Sequence, residues 1–379
     1  MQRLRHKNQR GFALIMALVL IALVSAIVAE FQYSSRVGLQ LAVQARDSLQ
    51  AEQNAMSAMR VQALFVRHAR KLKTLGDSLF GGQSKINLGA MLQLIPVECG
   101  LLNGILKARD FEEETDLLEG ECLASVTSEQ SKIALNILGK PGTNKKKELV
   151  QSLLAGMLMD PNLARHFEED DRNGQHAENP LEVVAALGDW IDSDSDQTGN
   201  AVADEDRLYD MLDSPYESKN AAFDSVDEVQ LVFGIDDELF SLLKPAVTIY
   251  NDSAELDLAT LPLDRILLWG LPACLQEGIL PDQMVGHPGF IPFVTQISQL
   301  KQMADFGMGS FTVNSLKEAL NLAGMMPLFN QSALSQVFTD NSKHLFYTIE
   351  AEGSSGDATR RVKIVLQANE KQVFYGRIE

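Results

Sequence analysis

Three aspartates alternate with other residues in one polar stretch near the middle of the chain. They are Asp192, Asp194 and Asp196, in the segment ALGDWIDSDSDQTGN. This spacing is typical of the first ligands of an EF-hand loop, and such hard oxygen donors suit calcium, which binds roughly six to eight of them. The EF-hand pattern then fails, because Gln197 occupies the position of its glycine and Ala203 that of its bidentate glutamate. The stretch therefore predicts a calcium loop of another kind.

The remaining ligands of such a loop must come from later in the sequence. We expect the acidic cluster Asp204, Glu205 and Asp206 to coordinate the same ion, and a backbone carbonyl or Asn220 to complete the coordination shell of that ion. The alternative is an acidic loop that faces solvent and binds no ion. The residues alone leave both interpretations open.

The negative charge of the chain is concentrated around this stretch. Residues 160–238 contain 23 acidic and 4 basic residues, while the whole chain carries a net charge of -18. Crowded like charges destabilise a compact domain unless solvent or cations neutralise them. The charge also argues against nucleic acid as a partner, because affinity for phosphates comes mostly from lysine and arginine.

The sequence offers no recognisable catalytic set, so we expect no enzyme. Its six histidines are dispersed, and it contains no His-Glu-x-x-His, no Gly-x-Ser-x-Gly and no phosphate-binding loop. His166 and His176 lie among acidic residues and are candidate metal ligands. Surface positions are the simpler interpretation, because the two histidines lack partners at helical spacing.

Residues 223–247 predict two short helices around Gly234, with Ser225 as an N-cap. A helix-hairpin-helix DNA module is one interpretation of such a pair. It is disfavoured because Asp236, Asp237 and Glu238 stand where a phosphate would bind.

An apolar segment near the N-terminus is long enough to cross a membrane. Nineteen uncharged residues run from Gly11 to Ala29, close to the ~20 that a spanning helix needs. A cleaved secretion signal is the alternative, since Ala26, Val28 and Ala29 form a weak cleavage site. Basic residues precede the segment and place the N-terminus in the cytoplasm and the rest across the membrane; they are Arg3, Arg5, Lys7 and Arg10.

The apolar segment continues into a polar helix. No proline occurs there, and we expect one helix from about Phe12 to about Lys73; a membrane anchor followed by a separate helix is the alternative. Apolar residues at three- and four-residue steps predict a stripe along it. They are Leu41, Ala45, Leu49, Ala55, Met56, Met59, Ala63 and Val66.

The C-terminal part changes its period. The segments HLFYTIEAEG, TRRVKIVLQAN and KQVFYGRIE predict three antiparallel strands from Leu345 onward. Residues from Asn144 to about Ser335 follow helical patterns, and a strand-like stretch precedes them at Val126. We therefore expect an α+β fold, with a long N-terminal helix and an antiparallel sheet that a large all-helical domain interrupts.

The N-terminus resembles the class III leader of type IV pilins and type II secretion pseudopilins. In those proteins a membrane peptidase cuts after a glycine, here Gly11, and methylates the next residue, here Phe12. Most members carry a glutamate at the fifth mature position, where this chain has Met16. The absence of this glutamate is characteristic of the general secretion pathway protein K family, whose members occupy the tip of the pseudopilus.

The acidic middle also resembles protein K. The similarity implies a pilin-like fold with an inserted helical domain that binds two structural calcium ions. The segment VTSEQSKIALNIL resembles the family's strand before that domain. The matching residues of the acidic middle are Asp189, Trp190, Ile191, Asp192, Asp194, Gly199, Glu205, Asp206, Tyr209, Pro215, Tyr216, Asn220, Asp227, Glu228 and Gly234.

This resemblance implies a minor pseudopilin that initiates pseudopilus assembly and supports secretion across the outer membrane. Its implied partners are the minor pseudopilins I and J, other pseudopilins and the prepilin peptidase. It implies a single pass through the bacterial inner membrane, with the C-terminal domain in the periplasm. The alternatives are a minor pilin of a type IV pilus and a periplasmic calcium-dependent hydrolase.

The expected divisions of the chain follow. They are a leader (1–11), the long helix (12–73), the first part of the sheet domain (74–143), the inserted domain (144–335) and the C-terminal strands (336–379). Three cysteines occur, and the spacing of Cys99 and Cys122 permits a disulfide without requiring one, with Cys274 as the third.

Overall fold

The computed structural model describes residues 10–79, 96–100, 103–104, 120–160, 163, 166–167, 177, 179–198, 204–210, 212, 214–306, 309–340, 346–368 and 373–378. Within these ranges a very long N-terminal helix packs against a five-stranded antiparallel sheet, and a mostly helical domain is inserted between two strands of that sheet. The expected α+β fold is confirmed.

Helix α1 runs without a break from Arg10 to Leu79, a length of 70 residues. At about 1.5 Å per residue it is roughly 105 Å long. Gly38 lies in open space, since an added Cβ there would meet nothing within 4 Å. The apolar segment and the polar helix are therefore one element.

The apolar stripe expected along α1 is covered only in part. Ala55 and Val66 are buried, whereas Leu41 and Leu49 are each 60% exposed. Leu49 and Ala55 are six positions apart, which at ~3.6 residues per turn places their side chains about 120° from each other. The other residues of the stripe lie within this arc, so they form one continuous face, which the sheet covers at Ala55 and Val66 and leaves open at Leu41 and Leu49.

Five strands form one antiparallel sheet, and strands are numbered in chain order. From one edge of the sheet to the other they are β1 (Val97–Glu98), β2 (Glu121–Ser128), β7 (Phe346–Ser355), β8 (Ala358–Gln367) and β9 (Val373–Ile378). Side chains of β2 alternate between exposed and buried, as in a sheet with one covered face. The strands expected from Leu345 onward are confirmed as β7 to β9.

A disulfide ties the edge of the sheet to its neighbouring strand. Cys99, directly after β1, is bonded to Cys122 on β2 across a sequence separation of 23. Both residues belong to the apolar cluster between the sheet and α1. The pairing that the sequence left open is therefore present, and Cys274 is a buried free thiol.

The inserted domain consists mainly of short helices around its own core. Single turns of 3₁₀ or π-helix connect several of them. The α-helices described are α2 (Asn144–Leu158), α3 (Pro180–Asp189), α4 (Arg207–Asp210), α5 (Asp237–Leu243), α6 (Leu263–Arg265), α7 (Pro281–Val285), α8 (Phe290–Asp305), α9 (Val313–Leu322) and α10 (Gln331–Val337).

The expectation of an all-helical domain over residues 144–335 is wrong in two respects. The domain contains two pairs of short parallel strands, and these pairs extend it from Ile133 to Thr339. Strands of two residues show no alternating pattern from which they could be predicted. The pairs are β3 (Ile133–Ala134) with β4 (Val247–Thr248), and β5 (Leu256–Asp257) with β6 (Phe338–Thr339).

The helix pair around Gly234 is present. Ser225 caps a 3₁₀ helix, Val226–Leu231, through a capping box with Glu228, which satisfies two backbone donors reciprocally. Asp236 then caps α5. The N-terminus of that helix is thus occupied by a carboxylate of the chain itself.

Candidate functional site

Helix α3 places the start of the acidic loop. Its N-cap Asn179 accepts hydrogen bonds from two backbone N–H groups of the first turn, a common stabilising arrangement. The helix ends at Trp190, which is 3% exposed and packs edge-on against Tyr209 and Tyr216. This aromatic cluster fixes the chain at the point where the loop begins.

The two acidic runs meet through their backbones. Asp196 and Asp204 form an isolated antiparallel bridge. Asp194 Oδ1 accepts from the N–H of Asp196, and Asp204 Oδ1 accepts from the N–H of Asp206, each at 3.1 Å. The residues expected to share an ion therefore lie side by side, while residues 199–203 between them lie outside the described part of the chain.

Ser218 links the second acidic run to Asn220. Its Oγ lies 2.7 Å from Oε1 of Glu205 and 2.7 Å from Oδ1 of Asp206, and its N–H donates to the same Asp206 oxygen at 2.8 Å. Asn220 has a left-handed backbone, with φ of 50°, and its Oδ1 lies 3.5 Å from the Oγ of Ser218. The sequence singled out Asn220 and missed Ser218, because a serine carries no charge pattern.

The candidate site has a buried inner part and an exposed rim. Asp189 and Glu205 are 3% and 0% exposed, and Asp189 accepts from the N–H of Thr198 at 3.1 Å. Asp192 is partly buried, while Asp194 and the bridged pair of aspartates are exposed. Asp189 was not among the candidate ligands, because it belongs to the preceding helix.

Two carboxylate oxygens in the inner part of the candidate site lack a hydrogen-bond partner. They are Asp192 Oδ1 and Glu205 Oε2, and the buried indole N–H of Trp190 is likewise unpaired. A buried ionised oxygen without a partner costs several kcal/mol in general. A bound cation would satisfy both oxygens.

Burial and mutual repulsion raise the pKa values of these carboxyl groups. Desolvation, followed by the charges of Asp194 and Asp189, raises the pKa of Asp192 to about 6, against the opposing charge of Lys147. Desolvation also raises the pKa of Glu205, and Asp189 and Asp192 add repulsion to it. A divalent cation would reverse this effect by favouring the ionised forms.

The donor set fits a hard cation in chemistry but not in its present arrangement. Its carboxylate, amide and hydroxyl oxygens are the atoms that calcium prefers. Among the residues that the structure describes, no three acidic, histidine or cysteine side chains converge closely enough to hold an ion. Binding would therefore require the rim carboxylates to turn inward.

His166, the one of the two candidate histidines that the structure describes, does not complete a metal site. His166 lies between two carboxylates, with Nδ1 3.6 Å from Asp236 and Nε2 3.4 Å from Glu238. These contacts are on opposite sides of the ring, so the two carboxylates cannot share an ion with it. His176 lies outside the described residues.

The first part of α1 is apolar and uncovered. It contains an 18-residue window of mean hydropathy 3.0 that is 0% buried, and by length and composition it could cross a membrane. Phe12 is 70% exposed and Met16 58% exposed.

Residues 132–252 match the family model described as type II secretion system (T2SS), protein K. Two curated relatives carry the name type II secretion system protein K. The protein from Pectobacterium carotovorum subsp. carotovorum is 23% identical over 201 residues, which cover 53% of this chain and 55% of the relative. The protein from Klebsiella pneumoniae is 26% identical over 264 residues, which cover 69% of each chain. The chain thus spans little more than half the length of the first of these relatives.

Among solved structures, the chain is similar to the GspK-GspI-GspJ complex from the enterotoxigenic Escherichia coli type 2 secretion system. The similarity has a TM-score of 0.47 at 14% identity, and it covers 74% of this chain and 93% of that chain.

Proposed function

Because residues 132–252 match the family model of type II secretion system protein K, we propose that this chain is the minor pseudopilin at the tip of the pseudopilus. The observation that carries the proposal is the presence of this domain in one chain with a long helix whose first part is apolar and uncovered. The chain starts pseudopilus assembly and thereby supports secretion across the outer membrane. Its chemistry is assembly and not catalysis.

We assign the apolar segment to the inner membrane and the remainder of the chain to the periplasm. The basic residues before Gly11 support this orientation. The disulfide between Cys99 and Cys122 supports it independently, because such bonds persist mainly outside the cytoplasm. Prepilin peptidase cuts between Gly11 and Phe12 and methylates Phe12.

The proposed partners are the minor pseudopilins I and J and the other pseudopilins of the same system. Support comes from the large apolar residues of α1 that its own sheet leaves uncovered beyond the membrane segment. Such residues in number are typical of a surface that another protein covers. They include Leu39, Leu41, Leu49 and Leu64, which are 67%, 60%, 60% and 51% exposed.

Crosslinking in cells tests the tip assignment through Met16. In pilin-like subunits the fifth-position glutamate is thought to pair with the N-terminal amine of the preceding subunit, in surroundings where an unpaired charge costs several kcal/mol. We expect the unsubstituted protein to be crosslinked at the tip alone, and Met16→Glu to enter some shaft positions.

Val19→Glu is the matched control, because it adds the same charge at a position that cannot make this pair; it should not enter the shaft. Mass spectrometry of the same samples should find a methylated Phe12 at the N-terminus. Repeated crosslinks of the unsubstituted protein along the shaft, at the stoichiometry of the major subunit, would show that the tip assignment is wrong.

We further propose that the acidic loop binds calcium, as two structural ions. The ligands are drawn from Asp192, Asp194, Asp196, Asp204, Glu205, Asp206 and Asn220. The unpaired oxygens of Asp192 and Glu205 support the proposal, as does the repulsion that raises the pKa of both groups. Buried Asp189 belongs to the same cluster and adds a further oxygen donor.

Calcium should stabilise the full-length protein in detergent. A ligand that binds only the folded state adds about 2.7 kcal/mol at a hundredfold excess over its dissociation constant. Thermal unfolding in calcium and in chelator, followed by the fluorescence of Trp190 beside the loop, measures the difference. Asp192→Ala combined with Asp194→Ala should abolish the response and leave the sheet intact.

Glu255→Ala combined with Glu277→Ala is the control, since it removes two exposed charges from the same domain outside the loop. This variant should respond to calcium like the unsubstituted chain. Equal midpoints in calcium and chelator for the unsubstituted chain would refute the ion site and leave the secretion role untouched.

A further inference from the structure

The inserted domain leaves and re-enters the sheet at one place. It starts after Ser128 at the end of β2 and returns at Phe346 at the start of β7, where Ser128 pairs with Tyr347. A cleft of ≈ 550 Å³ lies between the domain and the outer face of the sheet. Two adjacent connections beside a cleft would let the inserted domain change its orientation relative to the sheet, unless other contacts prevent this.

Two ion pairs along the cleft each join residues of the same domain. On the sheet, Lys363 pairs with Glu350 at 2.8 Å, and on the inserted domain Lys244 pairs with Asp227 at 2.7 Å. These four side chains line the cleft. Their charges are neutralised locally, so these pairs do not hold the two walls together.

The junction segment, residues 128–132, carries the bridging contacts instead. Its first four residues, Ser128, Glu129, Gln130 and Ser131, are polar, yet each is at most 1% exposed. Four buried polar residues in a row are unusual, because each must find hydrogen-bond partners inside the protein. Several of those partners lie on opposite sides of the cleft.

On the sheet side, one oxygen of Glu129 accepts two hydrogen bonds. Thr348 Oγ1 on β7 donates to Oε1 at 2.6 Å, and Lys132 Nζ, at the end of the junction segment, donates to the same oxygen at 2.6 Å. The carboxylate therefore joins a strand of the sheet to the residue directly before the inserted domain. Charge-assisted bonds of this kind are stronger and more directional than neutral ones.

On the other side, Arg265 holds the junction segment to the inserted domain. Its guanidinium donates to the carbonyl of Ser131 at 3.1 Å and to that of Pro245 at 3.0 Å. It lies over the ring of Trp269, 4.7 Å from the centroid. Next along the chain, the N–H of Ile133 donates to the Ala246 carbonyl at 2.9 Å.

We infer that Glu129 fixes the orientation of the inserted domain on the sheet, so that the two domains and α1 move as one rigid body. Thr348 on the sheet donates a hydrogen bond to the carboxylate, and Arg265 on the inserted domain donates one to the segment that carries it. In a subunit at a filament tip, this rigidity would keep the inserted domain in one orientation relative to the filament axis. That consequence rests on the proposed function.

Pulsed electron paramagnetic resonance on the full chain in detergent tests this inference. Spin labels are attached at Ser241→Cys on α5 and Thr359→Cys on β8, both exposed positions on opposite domains. Cys274 is buried, and Cys99 and Cys122 are bonded to each other, so none competes for the label. We expect one narrow distance distribution, which Glu129→Ala and Thr348→Val should each broaden at least twofold.

Thr127→Val is the matched control. Thr127 stands directly opposite Thr348 in the β2–β7 ladder but is exposed, so the same change there should leave the width unaltered. Thr348→Val keeps the side-chain volume, and it decides the matter if Glu129→Ala does not fold. A broad distribution in the unsubstituted chain, or equal widths for Thr348→Val and Thr127→Val, would overturn the inference. The measurement does not depend on secretion, so its failure is distinct from failure of the proposed function.

Discussion

Gly353→Val should separate α1 from the sheet and destabilise the sheet domain by at least ~3 kcal/mol. A Cβ built on Gly353 would lie 2.2 Å from the Ala51 carbonyl oxygen and 2.5 Å from the Ala55 nitrogen. Both atoms belong to the backbone of α1, so no flexible side chain can move aside. Overpacking in a core usually costs about 1–3 kcal/mol, and a clash with helix backbone falls at the upper end or beyond.

The cost is large because the contact surface has no alternative packing. Ala51, Ala55 and Ala58 are each 0% exposed, and their small side chains allow α1 to approach β7 closely. Next to Gly353, the carbonyl of Ser354 accepts a hydrogen bond from the Asn54 side chain at 3.1 Å. Moving the helix outward would open the apolar cluster and break this bond.

Hydrogen exchange on the full chain in detergent measures the effect. Amides of β7 and β8 should lose protection, while tryptophan fluorescence should change little, because Trp190 and Trp269 both lie in the inserted domain. Gly376→Ala on β9 is the control, since its added Cβ meets its nearest neighbour at 4.0 Å. Equal protection in Gly353→Val and Gly376→Ala would contradict the close approach of α1.

Local patterns were enough to predict the elements that have a strong period of their own. The long helix follows from an unbroken run of helix-compatible residues, and the C-terminal strands follow from apolar and polar residues that alternate over part of β7 and part of β8. The cap at Ser225 follows from its spacing to Glu228. In each of these cases the determining interactions lie within a few residues of one another.

Contacts between distant residues could not be predicted in this way. The face of α1 that meets the sheet depends on where β7 passes, and β7 begins at Phe346, 336 residues after the helix begins at Arg10. The parallel pairing of β5 with β6 joins Leu256 to Phe338, and two residues carry no period. The part of the stripe that the sheet covers and the limits of the inserted domain could not be predicted for this reason.

The candidate ion site was predictable in its charges and not in its shape. Alternating aspartates and a second acidic run mark a cation loop in any sequence. Whether Asp189 turns into the site depends on how α3 ends at Trp190, which is a tertiary contact. Ser218 was missed because its role comes from position alone, between Glu205 and Asp206.

Removing the disulfide, by Cys99→Ala combined with Cys122→Ala, should destabilise the sheet domain by about 3 kcal/mol. A crosslink restricts the unfolded chain, and a loop of this length, with a separation of 23 residues, corresponds to ~3 kcal/mol in the chain-entropy model. The strand it holds is short, since β1 pairs with β2 through Val97 and Glu98. Two strands paired over two residues contribute little stability by themselves. The disulfide therefore provides most of the free energy that keeps β1 attached to β2.

Denaturant unfolding of the full chain in detergent, with and without reductant, measures this contribution. Reductant should lower the midpoint of the unsubstituted chain to that of the double alanine variant, and it should leave the variant itself unchanged. Cys274→Ala is the matched control, because this buried thiol is free and its removal cannot change the response to reductant. If reductant shifted both the unsubstituted chain and the double alanine variant equally, its effect would not arise from the Cys99–Cys122 bond. If it shifted neither, β1 would be held by its packing against α1, through the buried side chain of Val97, and not by the crosslink.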